Sequence, residues 1–184
     1  EQSEKVLIVV SFIFEAGLRL ILNKLKKFNN PSNITIITSN YLKSTEPKAL
    51  RKLLDLKSLG AKIYLFDSIS SGENFHIKSY YFENEKNNFF SCIIGSSNMS
   101  FSAFKLSHEL NIEIKDKKTC KEHKDKMLNF LSNPHLLELT EDVIHEYEKI
   151  YEENKNLIRK FEDEDSNEIT IIPFKKPNII QVDA

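Results

Sequence analysis

The run Val6-Leu7-Ile8-Val9-Val10-Ser11-Phe12-Ile13 constrains the fold more than any other feature of the chain. It is apolar, rich in β-branched residues and free of polar alternation, so it reads as a strand buried on both faces. Such a strand needs cover above and below, which points to an α/β sheet.

The segments that follow supply that cover. Residues 16–28 place Leu18, Ile21, Leu22, Leu25 and Phe28 on one helical face. Asn29, Asn30, Pro31, Ser32 and Asn33 form a turn cluster, and residues 34–38 form a second strand. Thr45 reads as an N-cap with Pro47 in the first turn, and Gly60 as the stop of the helix carrying Ala49, Leu50, Leu53, Leu54 and Leu56. Residues 61–66 are a third strand, and residues 67–74 a Ser/Gly-rich loop. Residues 75–82 and 89–94 have strand composition and flank a polar turn, as a hairpin would. A short helix through about Leu106 is followed by an alternating, half-exposed strand at 110–114. Residues 121–131 read as helix, and residues 139–161 as a long helix closed by the acidic linker Glu162-Asp163-Glu164-Asp165. Three parts result: a domain at 1–135, a helical extension and linker at 136–165, and the start of a following region at 166–184.

Composition narrows the function classes. With 40% hydrophobic residues in 184 the chain can fill a core, and its net charge of -1 means that a nucleic-acid surface, if present, is local. The lysines 115, 117, 118, 121, 124 and 126 form such a cluster, but Asp116, Glu122 and Asp125 dilute it, and a solvated face is the simpler reading. Cys92 and Cys120 make no disulfide framework and no zinc spacing, so a reducing, cytoplasmic setting fits. No signal peptide or membrane-length apolar segment is evident, so no membrane association is expected. The first residue is Glu1, and the chain reads as a trimmed fragment.

The chemistry gathers in His76-Ile77-Lys78, Gly95-Ser96-Ser97-Asn98 and Glu109. Residues two apart on a strand share a face, so His76 and Lys78 project together. Ser96, Ser97 and Asn98 emerge where the hairpin's second strand ends and a helix begins, where free backbone N–H groups favour an anion and Gly95 permits close approach of a phosphate. Lys78 adds a positive charge, Asn98 a neutral donor and His76 a nucleophilic nitrogen. That set can hold and attack a phosphodiester without metal ligands. His108, His123, His135 and His145 read as surface residues, and Phe75, Tyr80, Phe82, Phe89 and Phe90 as core or strand-face aromatics.

These pieces resemble the phospholipase D superfamily, whose signature is H-x-K-x4-D followed by G-[GS]-x-N. Glu83 stands where the pattern has Asp; it falls in the hairpin turn, reads as solvent-facing, and is given no catalytic duty. The resemblance is to the single-motif (HKD-type) nuclease branch, in which an acidic residue on the strand after the GSxN segment hydrogen-bonds the catalytic histidine; Glu109 falls there. It extends to the phospholipase D-like domain at the N-terminus of DEAD/DEAH-type helicases, through Ser44-Thr45-Glu46-Pro47 and the terminal Pro177-Asn178-Ile179-Ile180-Gln181.

The resemblance implies a phospholipase D-like fold: a mixed β-sheet flanked by helices on both faces. It implies a nuclease (an endonuclease cleaving DNA) with catalytic His76, Lys78, Asn98 and Glu109, phosphate held by Lys78, Ser96, Ser97 and Asn98, and neither metal nor cofactor. One copy of the motif implies a homodimer with both copies at a twofold interface. One His76 forms a phosphohistidine, while the partner's histidine, in the other protonation state, protonates the leaving oxygen. Two alternatives stand beside it: a non-catalytic DNA-binding or dimerisation module of the same fold, and a phospholipid phosphodiesterase.

Overall fold

The computed structural model describes residues 3–165, with side chains to residue 156. The chain divides into two units, Glu1–Tyr151 and Glu152–Ala184. The segment at 166–184, where the sequence suggests a following helicase-like region, lies outside the described residues.

The first unit is built on a seven-stranded sheet. Its strands are β1 (Lys5–Val10), β2 (Ile34–Ser39), β3 (Lys62–Phe66), β4 (Lys78–Asn84), β5 (Phe89–Gly95), β6 (Asn111–Ile114) and β7 (Leu136–Glu138), in the order β6-β5-β4-β1-β2-β3-β7. β1, β2 and β3 run parallel, and β4, β5, β6 and β7 add antiparallel neighbours on both sides. The mixed sheet matches the sequence expectation. β1 is central and its side chains alternate between two cores. Val6, Ile8 and Val10 pack with Leu18, Leu22 and Leu25 of α1 (Glu15–Lys26) and with Leu50, Leu53 and Leu56 of α2 (Pro47–Ser58). Leu7 and Val9 face the other side with Phe66, Phe75, Tyr81, Cys92 and Cys120. Helices therefore cover both faces, as a doubly buried strand requires. The single-turn helix α3 (Ser68–Ser71) and the short α4 (Phe101–Lys105) precede α5 (Lys117–Leu128), which carries Cys120, and α6 (Glu141–Asp165).

The first unit does not end at residue 135. β7 pairs with β3, and Leu139, Ile144 and Tyr147 are buried in the same core as α2. Arg51 of α2 holds both carboxylate oxygens of Glu148 at 2.7 and 2.6 Å. Three residues of strand and one wide helical face carry too little pattern to be read locally; the free edge of β3 recruits them. The run at 162–165, expected as a linker, is helical to Asp165.

Three local expectations change. Thr45 does not cap α2. The N-cap position is Glu46, and the Thr45 hydroxyl is buried and donates to the Ser39 carbonyl at 2.7 Å. His123 is half-buried rather than free at the surface, and its Nε2 pairs with the Ser79 hydroxyl at 2.7 Å beneath the sheet. Glu83 is not in the turn. It is a fully buried residue of β4, bound by Lys5 of β1 and Lys124 of α5, each at 2.9 Å, and by the Tyr81 hydroxyl. Four of the six clustered lysines are similarly paired, Lys115, Lys118, Lys121 and Lys124, which leaves little of that cluster for a phosphate backbone.

Glu83 thus ties strand to strand to helix. Burial works to raise its carboxyl, but Tyr81, Lys5 and Lys124 outweigh it and hold it down to about 2, from an ordinary 4.5. A depressed folded-state value adds stability that is complete above pH 4.5 and fades as the pH falls toward 2. Glu83→Gln is expected to lower unfolding stability at pH 7 by on the order of 2–3 kcal/mol. Urea titrations of both proteins should show this gap shrinking between pH 5 and pH 3.

Candidate active site

The strands β1 and β2 end beside one another, and the chain returns to the same place at the start of β4 and the end of β5. Ligand sites in open sheets form at such carboxyl ends. Ser11, just past β1 and fully buried, donates through its N–H (2.8 Å) and its hydroxyl (3.1 Å) to the carbonyl of Ile77. Its own carbonyl accepts from the hydroxyls of Ser39 (3.0 Å), Thr38 and Thr45 (both 3.4 Å). Ile77 is the residue between His76 and Lys78, so the buried hydroxyl network fixes where both point.

β4 begins at Lys78, so His76 lies just before the strand and is exposed. Lys78 is only 6% exposed and donates from Nζ to the His76 carbonyl at 3.2 Å. No carboxylate lies within ion-pair distance of it among the described residues. Burial pushes its ammonium below the ordinary value, and the charge of Glu109 acts against that. An unpaired buried ammonium is costly unless something outside the chain supplies the counter-charge.

Asn98 sits across from this pair. Its Oδ1 accepts from the Phe12 N–H at 3.2 Å, which leaves its Nδ2 donors without a partner among the described residues. Ser96 and Ser97 divide differently from the expectation. Ser97 is buried and turned inward: its hydroxyl accepts from Asn111 Nδ2 at 2.8 Å and its carbonyl from the Tyr80 hydroxyl at 3.0 Å. Ser96 is exposed, but its hydroxyl donates to the Glu109 carboxylate and accepts from the Leu110 N–H at 3.0 Å. Glu109 therefore bonds Ser96, not the histidine of its own chain. The bonds from Ser96 and Ser97 to Leu110 and Asn111 draw this segment against β6 and take Glu109 with it.

Ser96, Ser97 and Asn98 do not reach the helix start where the sequence places them. α4 is capped by Ser100, whose hydroxyl accepts from Ala103 N–H. Met99, fully buried and bridged to Ile13, separates Asn98 from that helix. Gly95 serves β6: a Cβ there would collide with Leu110 and Asn111. Of the side chains expected to hold phosphate, Lys78 and Asn98 are the ones that keep uncommitted donors among the described residues.

Two residues that the sequence reading passed over belong to the site. Phe12 and Tyr41, on the loops after β1 and β2, place their rings 6.3 and 6.2 Å from the His76 ring, edge-on. No motif marks them; only their position after strand ends could have pointed to them. Among the described residues no group of His, Cys, Asp and Glu could hold a metal ion, and no helix is long and apolar enough to cross a membrane. An apolar groove of about 570 Å³ between α1, α4 and the sheet reaches Ser97 from behind, but none of His76, Lys78, Asn98 or Glu109 lines it.

Residues 1–131 match the family described as cardiolipin synthase, PLD-like domain. Among solved structures the chain is similar to NucT from Helicobacter pylori, with 19% identity, a TM-score of 0.52, and coverage of 73% of this chain and 81% of that one. No curated protein matches.

The unpaired Lys78 makes a thermodynamic signature. Lys78→Met is expected to melt at or above the wild-type temperature, since the substitution removes a buried charge without a partner. Inorganic phosphate at about ten times its Kd should stabilise the wild type by about 1.4 kcal/mol and leave the variant unchanged, as read by thermal denaturation.

Proposed function

Because the chain belongs to the phospholipase D superfamily, we propose that it is a metal-independent phosphodiesterase, a nuclease that cleaves DNA through a phosphohistidine. The observation that carries this reading is the pairing of an exposed His76 with a buried Lys78 that has no counter-ion among the described residues. A phosphodiester completes both: its charge partners Lys78, and its phosphorus meets His76.

In the first step an imidazole nitrogen of His76 attacks phosphorus, and the bond to the leaving oxygen breaks as that oxygen takes a proton from a second histidine. In the second step that histidine, now neutral, takes a proton from water; the oxygen attacks phosphorus and the P–N bond breaks. Lys78 Nζ and Asn98 Nδ2 stabilise the charge gathered on the pentacoordinate phosphorus. Glu109 helps keep Lys78 protonated against its burial, and its bond to Ser96 holds it there.

The sequence has a single His-x-Lys pair, so the second histidine comes from a second copy of the chain across a twofold axis. Support comes from the exposed apolar side chains Leu106, Leu110 and Ile112 beside Glu109, a surface of the kind that association covers. The site residues, the DNA substrate and the placement of this domain at the N-terminus of a helicase-like protein are parts of the same proposal. The last rests on the sequence resemblance alone. A phospholipid substrate is the second reading, favoured by the description of the matched family.

His76→Ala is expected to lower hydrolysis at least about 10³-fold while the protein still sediments as a dimer. Oligonucleotides and phospholipid vesicles, run side by side in EDTA, decide the substrate. Undiminished cleavage by pure His76→Ala, or loss of activity in EDTA that magnesium restores, would end this mechanism. Leu110→Asp is expected to shift the sedimenting species toward monomer and to lower activity with it.

A further inference from the structure

The aromatic pair beside His76 has a geometry that packing alone does not account for. The Phe12 and Tyr41 rings are parallel to within 9°, with centroids 6.1 Å apart. Both are half-buried. Phe12 belongs to neither hydrophobic core, and Tyr41 only borders one, whereas Phe66, Phe75 and Tyr81 are buried in full nearby.

Tyr41 is held in place by a strained loop. Leu42 and Lys43 both have φ of 52°, in the left-handed region that branched and long side chains avoid. Leu42 is 64% exposed, so burial does not compensate for its conformation. On the other side Asn40 is locked: its Nδ2 donates to Asp67 at 2.7 Å, and its Oδ1 accepts from Ile69 N–H at 3.2 Å. Strain persisting under such restraint marks a position kept for use. Phe12 is fixed from its own side, since its N–H donates to Asn98 Oδ1.

Resting on the phosphodiesterase reading of the site, we propose that Phe12 and Tyr41 form a stacking platform for a nucleobase beside the scissile phosphate, so that the substrate is single-stranded nucleic acid. A ring face reads no hydrogen-bond pattern, so the platform tolerates any base. It requires a base with an open face, which an unpaired strand offers and a continuous duplex does not. A quaternary ammonium head group, the other ligand that aromatic faces attract, is disfavoured here: Lys78 Nζ already lies 5.9 Å from the Phe12 centroid and repels a second cation.

The sequence contains no tryptophan, so Tyr41→Trp places a single tryptophan, excited selectively beyond the tyrosine absorption, in the platform. Combined with His76→Ala to stop turnover, it should be quenched by oligo(dT). An abasic strand of the same length should bind about tenfold more weakly and leave the emission unchanged. Phe12→Leu in that background should weaken oligo(dT) about tenfold and abasic binding less than about twofold. With His76 intact, Tyr41→Leu should slow cleavage of the base-bearing strand about tenfold more than cleavage of the abasic strand. Equal binding and equal quenching by the two strands, or quenching by phosphocholine in place of oligo(dT), overturns the platform, as does equal loss on both strands in Tyr41→Leu. Base-dependent quenching in a chain whose wild type cleaves no phosphodiester supports the platform and overturns the catalytic reading instead. Cleavage without preference for bases does the reverse.

Discussion

The site depends on one buried residue, Ser11. Its N–H and hydroxyl both reach the Ile77 carbonyl, and its own carbonyl gathers hydroxyls from Thr38, Ser39 and Thr45. Buried polar groups have to be paired, so this network has few alternative arrangements. It joins the ends of two parallel strands to the peptide that separates His76 from Lys78. Thr45 extends it to α2, and the Tyr147 hydroxyl, donating to the Thr45 carbonyl at 2.8 Å, extends it to α6. The helix that completes the fold is thereby coupled to the loop that presents Tyr41.

Strand β4 carries two buried charges with opposite treatment. Glu83 meets Lys5, Lys124 and the Tyr81 hydroxyl, and its charge is stabilised where it stands. Lys78, five residues away and so about 17 Å along an extended strand, has a carbonyl and, among the described residues, no carboxylate in contact. The satisfied charge stabilises the fold, and the unsatisfied one costs stability while leaving an anion site open. Their separation also explains why an acidic residue at the motif spacing takes no part in the site: the strand carries it to the opposite end of the sheet.

The hairpin that bears the motif was legible because its apolar runs and polar turn are local signals. β1, α1 and α2 were legible because periodicity and β-branching report burial on one face or two. Glu83, His123 and Thr45 were not, because each owes its placement to a partner at least six residues away in the chain: Lys5 and Lys124, Ser79, and Ser39. β7 was missed because three residues form a strand only against an edge that β3 happens to leave free. The inward turn of Ser97 was not legible either, because its neighbour in space, Asn111, is fourteen residues on.

The sequence by itself determined the chemistry available: a histidine and a lysine two apart, an asparagine after a glycine-serine turn, and a doubly buried strand demanding an α/β sheet. Those are properties of residue type and spacing, which survive without coordinates. Tertiary structure alone decided which of these groups meet. It left Lys78 without a counter-ion among the described residues, gave Glu109 to Ser96, and brought Phe12 and Tyr41 beside His76 from loops twenty-nine residues apart. The physical reason is that strand ends converge through sheet pairing, and pairing is a long-range contact that no local pattern encodes.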